Sequence, residues 1–135
     1  MAMVSGPRPR AELEEALRLG VDLVLVGCSL VFTERLRGHY GPTQAVESAR
    51  RMGVRSPIRD VAGRARLQRA IRWVDRTIFR EPNCYRRLLV EIALDGGAAT
   101  EKVILGFRAG GRAGSGHAWL ETTPPVASYD ALIAI

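Results

Sequence analysis

A chain of 135 residues, 47% of them hydrophobic, has the material for one globular domain with a modest core and little room for a second. Two cysteines are too few for a disulfide framework, and the start MAMVSGPRPR has no apolar segment of the secretory kind, so a reducing cytoplasm is the expected location. The formal charge of +6 and the pI near 10.3 come almost wholly from arginine; no nucleic-acid module or interleaved aromatic pattern accompanies them, so no nucleic-acid partner is expected.

Helices come first. Residues 11–37 have helical spacing, with Glu12, Glu14 and Glu15 in the first turn where the helix dipole favours anions, and Gly20 is placed to kink or divide the segment. Within it VDLVLVGCSLVF is the longest apolar stretch. Interrupted by Asp22, Gly27 and Ser29, it falls short of the ~20 residues that span a bilayer, and it is expected to be a buried helix with no membrane insertion. Thr43 is placed to cap a second helix, TQAVESARRMG, which Gly53 ends. Across residues 60–79, Leu67, Ile71, Val74 and Ile78 fall on one face and Arg69, Arg72, Arg76 and Arg80 on another. That amphipathic helix is expected to leave its arginines in solvent, with peptide docking as the alternative.

EPNCYRRLLVEIAL then begins as a turn and continues as an apolar helix, which DGG ends. TEKVILGFR has the period of a strand, with Val103, Leu105 and Phe107 on one face. The glycine-rich AGGRAGSG is a suitable hairpin connection to a second strand, HAWLE, and lacks the lysine and following helix of a phosphate loop. After TTPP turns the chain, VASYDALIAI supplies a third short strand. The expected fold is α+β: a single domain over residues 1–135, whose helical part, about 11–80, packs on a catalytic helix and small antiparallel sheet formed by about 81–135.

Asn83 is a favoured N-cap, which puts Cys84 in the first helical turn, where unpaired N–H groups and the positive dipole end stabilise a thiolate. A cysteine so placed, followed by His117 on a later strand, is the arrangement of thiol hydrolases. The competing account of Cys84 is inert packing, the commonest fate of a free cysteine. Cys28, in the middle of the apolar helix, and His39, in a helix-ending loop, are explained by core packing and C-terminal capping. With two histidines and no CxxC or HExxH, no metal or other cofactor is expected.

The segments NCYRRLLVEIALDGG, KVILGFR and SGHAWLE resemble the transglutaminase-like cysteine peptidases of lasso-peptide biosynthesis, which remove the leader from a ribosomally made precursor. The resemblance implies a transglutaminase-like, papain-like core with Cys84 as nucleophile, His117 in the HAW-aliphatic-Glu strand as its partner, and Asp130 as a downstream acid. Asn83, Trp119 and Glu121 are supporting candidates, and Glu121 competes with Asp130 to orient His117. Glu121 lies four residues along the same strand, about 13 Å from His117 by strand rise, whereas Asp130 lies on a strand that could return beside it. The resemblance further implies three partners. They are the precursor's leader–core junction, a separate leader-recognition protein, and a downstream ATP-dependent lasso cyclase; the Arg69–Arg80 face and the apolar region around Val24 and Phe32 are the docking candidates. The alternatives are a transglutaminase-like acyltransferase, or a noncatalytic scaffold that presents the precursor to the cyclase.

Overall fold

Short polar side chains open two of the four helices in the computed structural model, which describes residues 9–110, 116–125 and 127–135. Asp60 Oδ1 accepts from the Gly63 N–H at 2.7 Å ahead of α3 (Val61–Ile78), and Asn83 Oδ1 accepts from the Arg86 N–H at 2.9 Å ahead of α4 (Cys84–Leu94). The second helix, α2 (Pro42–Gly53), does not start on Thr43. Gly41 takes its cap position and Pro42 its first helical position, where the missing proline N–H would be unpaired anyway. The first helix, α1 (Pro9–His39), runs unbroken through Gly20.

A three-stranded antiparallel sheet follows the helices, so the α+β architecture holds among the described residues. Its strands are β1 (Val103–Phe107), β2 (His117–Leu120) and β3 (Ala131–Ala134), in the order β2-β1-β3. Gly106 pairs with His117 on one side and Leu132 on the other. Residues 111–115 of the glycine-rich connection, Val126 ahead of the third strand and residues 1–8 of the start lie outside the described residues.

The core divides into two clusters that share α4. Leu88, Leu89, Ile92 and Ala93 pack with Ala45, Val46 and Ala49 of α2 and with Val103, Ala118 and Leu120 of the sheet. Val90 and Leu94 pack with Val26 and Leu30 of α1 and with Leu67, Ala70, Ile71 and Val74 of α3. A helix buried on every side is the fixed axis of the molecule, and Cys84 stands at its N-terminus. The α2–α4 contact is backbone-close: a Cβ on Gly53 would lie 1.9 Å from the Ile92 carbonyl oxygen, so no larger residue fits there.

Three expectations about the helices change. The apolar stretch of α1 is not buried as a whole: Val26 and Leu30 are, whereas Val21, Val24, Leu25, Val31 and Phe32 are exposed because that side of the helix turns away from α3 and α4. By length and composition α1 is long enough and apolar enough to cross a membrane, because the apolar window extends beyond the twelve-residue stretch, and 28% of that window is buried here. Ile78, placed on the buried face of α3 by its spacing, is exposed as the helix ends. Asp22, which interrupts the apolar run, is buried; it accepts a hydrogen bond from Arg66 at 2.9 Å, forms an ion pair with Arg59 at 2.8 Å, and ties α1 to the start of α3.

Candidate active site

Cys84, Arg87, Leu88 and Glu91 lie at positions i, i+3, i+4 and i+7 of α4 and therefore share a face. That face, with Gln68, Ile71 and Arg72 of α3, forms one side of a cleft of about 290 Å3. Residues 117–120 of β2, with Thr123 beyond them, form the other. Cys84 and His117 are thus brought to a single cleft, at the sheet edge that β2 leaves unpaired. Cys84 is half-buried and free.

Strand alternation decides where His117 goes next. Ala118 and Leu120 face the helices with Val103, which leaves His117 and Trp119 on the opposite face. There the His117 ring stacks on Trp119, with centroids 5.9 Å apart, and lies nearly parallel to Tyr129 at 6.2 Å. Trp119 and Tyr129 meet at 5.2 Å over Gly106, where a Cβ would come within 2.7 Å of the tryptophan ring and 2.8 Å of the tyrosine. The glycine makes room for the two aromatic rings that hold the histidine. Among the described residues no hydrogen bond joins the Cys84 thiol to His117.

Neither acidic candidate reaches the histidine. Asp130 is exposed; its carboxylate accepts from the Ala109 N–H at 2.7 Å, and its own N–H donates to the Phe107 carbonyl at 3.0 Å. It does lie at the start of a neighbouring strand, but that strand pairs with β1, which stands between it and β2. Two strand spacings, about 9–10 Å, therefore separate it from the His117 strand. Glu121 is exposed just past the end of β2, its N–H bonded to the Lys102 carbonyl. Asn83 is the α4 cap and sets the position of Cys84 rather than touching the histidine. Trp119 lines the cleft and carries the stack.

The cleft's charges were not singled out by residue type, although their spacing on α4 was readable. Glu91 is buried; desolvation pushes its carboxyl above the ordinary carboxylate range, and a hydrogen bond from Gln68 at 3.0 Å and Arg64 at 3.7 Å only partly offset that. Below it, burial alone would raise the Asp95 carboxyl as well. There the Arg64 guanidinium at 2.7 Å and the N–H groups of Arg59 and Gly97 outweigh desolvation and hold it low. Arg87 donates from Nε to Asp75 at 2.6 Å, while its buried Nη2 has no hydrogen-bond partner among the described residues.

Of the other cysteine–histidine pair, His39 behaves as a helix-ending residue, its Nδ1 2.9 Å from the Arg35 carbonyl. Cys28 does not pack in the core; it is exposed on the open side of α1. No family model, no curated protein and no solved structure matches this chain.

Proposed function

We propose that this chain is a cysteine peptidase of transglutaminase-like type that removes the leader from a lasso-peptide precursor before macrolactam closure. The observation that carries the reading is the shared cleft: a free cysteine in the first turn of the most buried helix and a histidine on the facing strand line one space. In this mechanism the Cys84 thiolate attacks the scissile carbonyl, His117 protonates the leaving amine, and His117 then draws a proton from the water that releases the acyl-enzyme. To act, the His117 ring must leave its stack on Trp119 and turn to the cleft. Asp130 orients it only if β3 shifts; otherwise the aromatic rings set its position.

The proposed setting is cytoplasmic. A separate leader-recognition protein holds the precursor and raises local concentration to the order of mM, and an ATP-dependent cyclase consumes the product. The exposed apolar side of α1 around Val24 and Phe32 and the exposed arginines of α3 support a need for such a partner.

The test is cleavage of precursor, followed by mass spectrometry, with and without the leader-binding protein. Wild type is expected to cut once, slowly alone and faster with the partner, and Cys84→Ala to lose cleavage while keeping its fold, since alanine suits an early helical position. Retained cleavage in Cys84→Ala sinks the peptidase reading. The stacked histidine without an acid partner favours a noncatalytic scaffold as the second reading, and wild type that binds precursor without cutting it would establish that one. Added amines appearing in the product would instead establish an acyltransferase.

A further inference from the structure

The charges beside Cys84 do not balance. Asp75, fully buried, accepts from Arg86 Nε at 2.7 Å and from Arg87 Nε at 2.6 Å, so one carboxylate serves two guanidinium groups. Glu34 lies 3.6 Å from Arg86 but is 2.6 Å from Arg37, so it too is shared. Three guanidinium groups against two carboxylates leave one positive charge over. Arg86 has further partners, since it donates to the Glu81 carbonyl at 2.9 Å and lies 3.7 Å over the Phe79 ring. Arg87 has none beyond Asp75 among the described residues: its Nη2, closed off from solvent in this conformation, has no hydrogen-bond partner there, while 22% of the side chain is exposed. The surplus charge therefore falls at Arg87, which lines the cleft one turn from Cys84.

A second cation lines the same wall of the cleft. Arg72 of α3 is exposed and has no ion pair among the described residues. The carboxylate of the same cleft, Glu91, is already engaged by Gln68 and Arg64. The remaining walls are largely apolar, from Ile71, Leu88, Ala118 and Leu120. A buried guanidinium nitrogen without a partner is costly, and a carboxylate is the group whose two oxygens match a guanidinium fork.

We infer that the cleft takes a peptide bearing a carboxylate next to the bond presented to Cys84, held by Arg87 and Arg72. Positions i and i+3 on a helix are neighbours, about 5–6 Å apart at Cβ, so the anion lies adjacent to the bond under attack. The cleft is at the lower limit of the about 300–1,000 Å3 of small-molecule sites, with room for a side chain and its flanking peptide groups. The assignment rests on the peptidase reading for its placement beside a scissile bond, but the carboxylate site itself is tested by binding alone.

The experiment measures affinity of the full chain carrying Cys84→Ala for three six-residue, N-acetylated peptides at low and at 0.5 M salt. One contains an internal glutamate and ends in an amide, the second replaces the glutamate with glutamine, and the third has that glutamine and a free C-terminal carboxylate. The expected result is a preference of roughly tenfold or more for the glutamate peptide over its glutamine twin, shrinking at high salt as the charges are screened. Preference for the third peptide assigns the site to a free C-terminus instead. Arg72→Gln, an exposed change that leaves the fold untouched, should reduce the preference severalfold, and Arg87→Gln should remove it. Because Arg87→Gln also strips a partner from Asp75, the peptide comparison on unaltered arginines remains decisive. Equal affinity for all three peptides, or no binding by any, overturns the inference. Preference without hydrolysis by wild type would leave the carboxylate site standing and sink the peptidase reading alone.

Discussion

His117 is held by ring packing rather than by a carboxylate, and the residue that permits this is Gly106. With no Cβ on β1, Trp119 and Tyr129 close over the strand and meet the imidazole. Replacing Gly106 with alanine puts a carbon 2.7 Å from the tryptophan ring, so the rings must part or the strand must move. Overpacking of this kind costs about 1–3 kcal/mol. The expected outcome for Gly106→Ala is a lower denaturation midpoint together with a changed near-ultraviolet signal from Trp119. An unchanged near-ultraviolet spectrum would mean that the stack does not depend on the glycine. Cys84 and His117 were legible as residue types in a suitable order, but strand alternation turns the His117 ring to the far face of the sheet, so their shared cleft was not legible from spacing alone. The stack was not legible, because nothing local in SYD says that Tyr129 returns over β1. The expected histidine–acid pair likewise depended on strand order, which HAWLE and SYDALIAI do not encode.

At the scale of elements, α4 depends on two devices at its N-terminus. The Asn83 cap satisfies the Arg86 N–H, and Asp75 of α3 fixes Arg86 and Arg87 in the first turn. Asn83→Ala should cost about 1 kcal/mol, the usual worth of a cap. Asp75→Asn should cost more, about 3–5 kcal/mol, because it leaves two guanidinium groups without the buried charge they share. Urea titrations with unchanged slopes check both, and a smaller loss for Asp75→Asn than for Asn83→Ala would show that the buried pairs contribute little net stability. The cap and the apolar period of α4 were plain in NCYRRLLVEIAL. The ion pairs were not, since Asp75 and Asp22 read locally as breaks in apolar patterns and find their arginines only when α3 packs on α4 and α1. The same limit explains α1, whose composition suggests burial on all sides although packing covers only the face of Val26 and Leu30.

The whole molecule is two apolar clusters joined through α4, with buried ionisable groups between its layers, so its stability depends on pH in opposing ways. Glu34 is held low chiefly by its hydrogen bond from Arg37, and Asp95 is held low by Arg64 and two backbone N–H groups against the cost of its burial. Groups with depressed folded values stabilise the protein above their unfolded values, and that stability is lost as pH falls through the folded ones. Glu91 has the reverse sign. Desolvation raises its folded value above the ordinary 4.5, so the ionised carboxylate disfavours folding at neutral pH, despite Gln68 and Arg64, and the penalty fades as acid protonates it in the folded and then the unfolded chain. Asp95 and Glu101 add to the penalty by repulsion across the Arg64 cluster. Glu91→Gln keeps the shape and an amide partner for Gln68 while removing the buried charge. It should therefore raise the melting temperature at pH 7, and the advantage over wild type should shrink as pH falls and be gone below about 4.5. Thermal melts of the two proteins from pH 4 to 8 read this directly. A Glu91→Gln protein that is less stable at pH 7 would show that the attraction to Arg64 outweighs desolvation, and the carboxylate would then count as a net stabiliser of the cleft wall.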